Sequence, residues 1–218
     1  MRIDVLTTLP DMLKGPLGQS ILARAQSAGI VEIKLHNLRD WATDPHRSTD
    51  DHPYGGGPGM VMMIEPIDAA LKALGAKKGT EGEMIVLTSA KGELFTQQTA
   101  VKWKKLKRLI VICGHYEGVD ERVAENLVDT EIRIGDFVLT GGELPAAVMI
   151  DAVVRLLPGV LGEAESLTNE SHNEPGYLEH PQYTRPENFN GQRVPNTLIE
   201  GNHKLIQQWK KDNSSKVK

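Results

Sequence analysis

The seven residues Arg108–Gly114, RLIVICG, restrict the fold of this chain more than any other stretch. Five apolar side chains in a row make a short run, and in a strand successive side chains point to opposite faces. A strand that is apolar on both faces needs cover on both, as in a parallel sheet flanked by helices. The neighbouring sequence has the matching rhythm. Strand-like runs occur at 3–9 (IDVLTTL), 31–38 (VEIKLHNL), 84–90 (MIVLTSA) and 132–139 (IRIGDFVL). Helical patterns separate them at 19–29, 66–75, 97–106 and 120–127. Such alternation predicts an α/β domain with a mostly parallel sheet.

A longer helix is expected after Gly141-Gly142, with Glu143 and Pro145 in its first turn and Pro158-Gly159 ending it. Leu144, Val148, Val153, Val154 and Leu157 recur at near-helical spacing, so one face should be buried. Beyond Gly162 the texture changes. Residues 163–196 are rich in Asn, Pro, Glu and His without a clear period and read as a long loop or linker. A last helix is expected near 203–211, with Asn202 as N-cap and Leu205, Ile206 and Trp209 on one side. The expected division is a domain at 1–162, a flexible linker at 163–176 and a short C-terminal domain at 177–218.

Composition excludes several classes. Of 218 residues, 39% are apolar and 25% charged, enough for a buried core. The net charge of −4 argues against a protein that coats nucleic acid indiscriminately, although a local basic patch would escape the average. One cysteine, Cys113, forbids an internal disulfide framework and suits a reducing cytoplasm. No apolar run approaches membrane-spanning length, and the first residues lack a signal peptide's apolar centre. A soluble cytoplasmic protein is expected.

The segment Pro53–Met63, PYGGGPGMVMM, places four glycines directly before an apolar run. It lacks the Lys and the Ser or Thr of a nucleotide-hydrolase phosphate loop, and the spacing of a dinucleotide loop as well. Three other glycine-bearing turns fall at expected strand ends: 113–122, 134–146 and, less cleanly, 88–93. Ligands of open parallel sheets bind beyond those ends, and glycine lets the main chain approach them closely. The seven histidines and Cys113 show no zinc-ligand spacing. A Mg2+ ion held loosely on carboxylates would leave little trace, so it stays open. Cys113, inside an apolar strand, reads as core. Two clusters could meet an anionic partner: KWKKLKR at 102–108, and Lys204, Lys210, Lys211, Lys216 and Lys218 near the end.

Five motifs in order, HRSTDDHPYGGGPGMVMM, CGHYEGVDERV, IGDFVLTGGELPA, DAVVRLLPGVLG and HPQYTRPE, resemble the bacterial tRNA (guanine-N1)-methyltransferases of the SPOUT class. The resemblance runs from Met1 to about Trp209. It implies an α/β fold whose C-terminal part is tied into a trefoil knot, followed by a small, mainly helical C-terminal domain. It also implies that S-adenosylmethionine binds within the knot. Leu87, Thr88, Ser89, Gly114, Tyr116, Glu117, Arg133, Ile134, Gly135, Asp136, Phe137, Val138, Leu139, Gly141, Gly142 and Pro145 would form the cofactor pocket. Asp50, Tyr54, Gly55, Gly56, Gly57, Pro58, Gly59 and Met60 would hold the target guanosine, with Met60–Met63 anchoring the loop. The implied partners are tRNA and a second copy of the chain, in a homodimer with shared active sites.

The chemistry makes its own demands. Guanine N1 carries a proton at neutral pH, so a base must reach it, and the negative charge that grows on O6 needs a donor or cation. By resemblance the base falls in TNESHNE, 168–174, on Glu170, where the family has an aspartate, and Arg155 faces O6. Phe137 replaces a tyrosine usual in the family. The C-terminal domain is expected to be short, because relatives are expected to continue with further helix. Two other readings stay open: a SPOUT enzyme acting on a ribose of another RNA, and a cofactor-binding RNA-binding protein without catalysis.

Overall fold

The computed structural model describes residues 1–162 and 170–216 and divides into two compact units, Met1–Gly162 and Glu163–Lys218. In the first, elements follow as β1 (Arg2–Thr7), α1 (Asp11–Leu17), α2 (Ser20–Ser27), β2 (Glu32–Asn37), a 3-10 turn (Leu38–Trp41), β3 (Asp50–Asp51), β4 (Val61–Met62), α3 (Ile64–Ala73), β5 (Glu83–Leu94), α4 (Gln97–Trp103), β6 (Arg108–Cys113), α5 (Glu121–Asn126), β7 (Thr130–Arg133) and α6 (Glu143–Val154). Five strands form one sheet in the order β2-β1-β6-β5-β7, and every neighbouring pair is parallel. This is the α/β architecture expected from the alternating pattern.

All six residues of β6 are buried, and the strand runs between β1 and β5. Ile110 and Ile112 join Leu6, Ile85, Leu87, Ile67 and Leu71 in a core on the face covered by α3 and α5. Leu109, Val111 and Cys113 alternate to the other face, where α6 packs on β6 and is flanked by α1, α2 and α4. Helix ends are set by local chemistry. Thr96 and Thr99 form a reciprocal capping box at the start of α4. Pro66 stands in the first turn of α3, where its missing N–H costs nothing.

Two expectations need correction, and one helix was not expected. Helix α1 did not stand out, because Gly15 and Pro16 lie inside it; Leu13 and Leu17, one turn apart, are both buried and hold it to the core. The strand expected at 132–139 ends at Arg133. In α6 the buried residues are Glu143, Pro145, Ala146, Met149, Ile150, Val153 and Val154, whereas Leu144 and Val148 are each half exposed.

Among its described residues the second unit holds two helices, α7 (Asn196–Ile199) and α8 (His203–Asn213), and two short ladders. β8 (Tyr177–Leu178) pairs antiparallel with β11 (Ser215–Lys216), and β9 (Asn188–Phe189) with β10 (Gln192–Arg193). Asn202 caps α8 through its side chain, which accepts from the N–H groups of Lys204 and Leu205. Tyr183 and His180 pack their rings against Trp209. None of this unit's described residues is fully buried. Residues 163–169 of the expected linker lie outside the described residues.

At the sheet's N-terminal edge, Asp4 is fully buried on β1. Its carboxylate accepts from His36 Nε2 at 2.7 Å, Arg2 Nη2 at 2.9 Å and Arg108 Nε at 2.8 Å. Arg108 also donates to the Leu74 carbonyl at 3.1 Å, so β1, β2, β6 and the end of α3 are joined through one carboxylate. Burial pushes that carboxyl's pKa up, but the bonds from His36, Arg2 and Arg108 outweigh burial and hold it well below the usual carboxylate range. The ionised form therefore stabilises the fold at neutral pH, and this stabilisation is lost as pH falls below about 4. Replacing Asp4 by Asn should lower the unfolding free energy in urea at pH 7 by about 3 kcal/mol. The loss should shrink as the titration is repeated toward acid; an equal loss at every pH would refute the charge argument.

Candidate functional site

The carboxyl ends of β6 and β7, with the middle of β5 where its pairing to β6 stops at Thr88, open into a cleft of about 480 Å3. Each strand supplies one wall. From β5 come Leu87 and Thr88, followed by an excursion in which Ser89, Ala90 and Lys91 leave the ladder. Thr88 and Glu93 both face Ile132, so the residues between them bulge out of register. Gly92 lies so close to β7 that a β-carbon there would collide with the Glu131–Ile132 backbone. The turn after β6 contributes Gly114–Val119, and the segment after β7 contributes Ile134, Phe137, Val138, Leu139, Thr140, Gly141 and Gly142.

The cleft floor is a crossing of two chain segments. Gly142 donates its N–H to the Gly114 carbonyl at 2.7 Å, and His115 and Gly141 form an isolated antiparallel bridge. Thr88 Oγ1 accepts from the Gly114 N–H at 3.0 Å and donates to the Ile112 carbonyl at 3.3 Å. A β-carbon on Gly142 would overlap Thr88 Oγ1 and lie 2.8 Å from the Gly114 nitrogen. Only glycine fits there.

The glycine loop belongs to the same construction. Asp50–Asp51 pair antiparallel with Val61–Met62, so residues 52–60 are the tip of a hairpin. Gly55, Gly56, Gly57 and Gly59 all have positive φ, and Tyr54 is fully exposed. The hairpin is docked on the cleft rim by backbone bonds: Glu117 N–H to the Met60 carbonyl at 3.0 Å, Met62 N–H to the Gly118 carbonyl at 2.9 Å, and Asp120 N–H to the Met62 carbonyl at 3.0 Å. Met62 alone of the expected methionine anchor is fully buried; Met60, Val61 and Met63 are half buried.

Charges around the rim are mostly paired. Arg122 donates to both oxygens of Asp120, at 2.9 and 2.6 Å, and holds that carboxyl below its ordinary value. Lys91 pairs with Glu121, whose hydrogen bond raises the ammonium pKa. Tyr116 adopts φ of 58°, unusual for a side-chain-bearing residue, and its hydroxyl lies 3.4 Å from Arg39 Nη2. Cys113 sits below the cleft, fully buried, where desolvation and the Glu143 charge push its thiol well up. It is core, as expected. Among the described residues no group of three or more His, Cys, Asp or Glu could hold a metal ion.

Of the residues expected around the cofactor, Leu87, Thr88, Ser89, Gly114, Tyr116, Glu117, Arg133, Ile134, Phe137, Val138, Leu139, Gly141, Gly142 and Pro145 line this one cleft. Gly135 and Asp136 do not. Gly135 backs onto the Phe137 ring, and the exposed Asp136 carboxylate pairs with Arg133 Nε at 2.8 Å. The cofactor set named from the sequence leaves out Ala90, Lys91, His115, Gly118, Val119, Glu121, Ala124, Glu131, Ile132 and Thr140, which also line it. The glycine turns at 88–93, 113–122 and 134–146 carried a signal for all of these but Ala124, Glu131 and Ile132. Arg155 lines a separate cleft with Gly15, Pro16, Gln19, Ser20, Ile21, Leu22 and Asp151. Glu170 belongs to the second unit, is half buried, and its carbonyl accepts from the Asn173 N–H at 3.1 Å. Of the basic run at 102–108, Arg108 is buried on Asp4 and unavailable to a partner.

Because the crossing at Gly142 has no room for a methyl group, Gly142→Ala should cost about 1–3 kcal/mol of stability. It should also widen the Gly114 contact and weaken ligand binding in the cleft. Thermal melts and calorimetric titration would check both, and an unchanged variant would show that the floor yields.

The family model described as tRNA (Guanine-1)-methyltransferase TrmD matches residues 1–217. A tRNA (guanine-N(1)-)-methyltransferase of Chloroflexus aggregans is 54% identical over 97% of this chain and 82% of its own length. The protein of that name from Dictyoglomus turgidum is 53% identical over 99% and 86%, and that from Geotalea uraniireducens 52% over 98% and 85%. With the glycine crossing, the docked hairpin and a match across nearly its whole length, the chain belongs to the TrmD family of tRNA (guanine-1)-methyltransferases.

Proposed function

We propose that the protein transfers a methyl group from S-adenosylmethionine to N1 of the guanosine immediately 3′ of the anticodon in tRNA. The observation that carries this reading is the docking of the glycine hairpin on the rim of the cleft, through Glu117–Met60 and Gly118–Met62 backbone bonds. A bare, exposed loop thereby stands beside a small-molecule cleft, so a base extruded from RNA can meet a methyl donor there. Membership of a tRNA (guanine-1)-methyltransferase family supports a tRNA guanine as methyl acceptor and S-adenosylmethionine as donor.

The cleft suits that donor. Its volume lies in the range of small-molecule sites. Leu87, Ile134, Val138, Leu139 and Pro145 offer apolar cover for a nucleobase, and the Gly114 and Gly141–Gly142 main chain offers close polar contact. Glu117 and Glu131 supply negative charge toward a cationic ligand. When bound, S-adenosylmethionine supplies an electrophilic methyl group. Around it, Asp50, Tyr54 and the glycines 55–57 and 59, with Pro58 and Met60, orient the guanine. Glu170 would take the N1 proton, and the Arg155 guanidinium would balance the negative charge that grows on O6.

In this reading the active enzyme is a homodimer. Leu144, Val148, Asp151 and Arg155 fall on one stripe of α6, spaced four, three and four apart. Leu144 and Val148 are each 50% exposed, and Leu9 and Met12 on the adjoining α1 side are exposed as well. Such a stripe is suited to a self-complementary contact that would carry Arg155 to a shared site. The proposal includes a trefoil knot; the close crossing of 141–142 over 114 and the β6-β5-β7 order support it. It also includes a C-terminal tRNA-binding domain and a cytoplasmic location. No helix among the described residues is long and apolar enough to cross a membrane. A Mg2+ ion would have to be completed by water and RNA oxygens.

Labelled methyl transfer to two tRNA transcripts, with G or A 3′ of the anticodon, should yield N1-methylguanosine from the first alone by nucleoside mass spectrometry. Methylribose in the product would overturn the reading. Glu170→Gln should lower single-turnover methylation by at least about 10²-fold while the cofactor still binds; a near-normal rate would move the base elsewhere. Val148→Glu should convert a dimer to a monomer in sedimentation equilibrium and abolish turnover. A variant that stays dimeric would remove this stripe from the interface.

A further inference from the structure

Below the cleft, three elements meet at a pair of side chains that the methyl-transfer scheme leaves unused. Glu143, in the first turn of α6, is fully buried. Its Oε1 accepts from Thr7 Oγ1 on β1 at 2.7 Å, while its Oε2 has no hydrogen-bond partner. His115 Nδ1, likewise buried and without a hydrogen-bond partner, lies 3.6 Å from that oxygen. The rest of the His115 side chain is 21% exposed and lines the cleft. Its ring is fixed edge-on against Tyr116, with centroids 4.9 Å apart at 86°. Gly141 passes beside the pair: a β-carbon there would lie 2.5 Å from both Glu143 Oε2 and His115 Nδ1, so glycine keeps their path open.

The hydrogen-bond inventory determines how this pair can work. An ionised carboxylate only accepts, so the imidazole nitrogen facing it must carry a proton. Thr7 Oγ1 already accepts from the Leu9 N–H at 2.9 Å, which leaves its own proton for Glu143. We propose that Glu143 is a positioning residue for the cofactor: it holds His115 in the Nδ1–H tautomer, so that Nε2 accepts a hydrogen bond from an N–H or O–H donor of the bound S-adenosylmethionine. The inference rests on the reading of the cleft as the cofactor site. At 3.6 Å the pair is slightly longer than a hydrogen bond, and contacts of this kind tighten when the ligand arrives. The buried negative charge also favours a cationic ligand above it.

Glu143→Gln tests the idea with little change in shape. Because Thr7 must still donate, the new amide oxygen should face Thr7 and the amide N–H2 should face His115. The ring must then accept at Nδ1 and carry its proton on Nε2. Long-range 15N–1H spectra of the full-length protein should show Nδ1–H in the wild type and Nε2–H in Glu143→Gln. Calorimetric titration with S-adenosylmethionine should show affinity weakened by about tenfold, and kinetics should show KM for the cofactor raised with kcat nearly kept. His115→Phe, which retains the ring packing on Tyr116, should lose affinity by a similar factor with an unchanged melting profile. Should Glu143→Gln fail to fold, this second variant and the wild-type tautomer decide the matter. An Nε2–H wild type, or full affinity in either folded variant, overturns the proposal. Wild-type protein that binds no S-adenosylmethionine overturns the cleft reading and this inference together, whereas binding indifferent to both variants overturns this inference alone.

Discussion

The site depends on one contact between two stretches of main chain. Gly142 meets Gly114 at 2.7 Å, and Thr88 Oγ1 fills the remaining space below them. A side chain at either crossing point would force the segment after β7 away from the turn after β6. Three strand ends would then splay, and the cleft between them would lose its floor. The Gly142 N–H bonds the Gly114 carbonyl and the Gly114 N–H bonds Thr88 Oγ1, so the close approach leaves neither donor unpaired. The same geometry leaves the walls free to present apolar side chains and backbone groups together, a combination suited to a nucleoside-bearing ligand.

The two edges of the sheet do different work. At the amino end, Asp4 gathers His36, Arg2 and Arg108 and ties three strands by charge-assisted hydrogen bonds. At the carboxyl end, polar groups are directed into the cleft or left open to it. Stability and ligand contact are therefore separated along the strands, and the glycine hairpin can sit on the rim without carrying the core. It is held by main-chain bonds and by the single buried side chain of Met62. That mode of attachment suits a loop whose tip stays exposed for a large partner.

Much of this was legible in the residues, and the exceptions have physical causes. LIVIC could only be a strand covered on both faces, and it is the buried β6. The Asn202 cap of α8 was readable because an Asn before an apolar-periodic run satisfies free helix N–H groups. Helix α1 was missed because Gly15 and Pro16 argue locally against a helix, and burial of Leu13 and Leu17 overrides them. Residues 134–139 continue the strand-forming types of β7, yet their apolar side chains turn to the cleft. Leu144 and Val148 matched helical spacing but lie on the exposed stripe of α6, because spacing does not say which face meets the sheet. Arg108 was counted with a basic cluster; only the fold puts it on Asp4.

By itself, the order of residues determined that this chain would form a helix-covered parallel sheet, and its five glycine-bearing and charged motifs indicated the family. Periodicity and turn chemistry are local, so they survive without any knowledge of distant contacts. Tertiary structure alone decided which glycines are crossings and which are turns, since the need for a missing β-carbon arises only where another segment approaches. It also decided that Thr7, Glu143 and His115 meet beneath one cleft, although 136 residues separate the first two. Such a meeting is fixed by the packing of β1 against α6 and the turn after β6, and no local pattern records it.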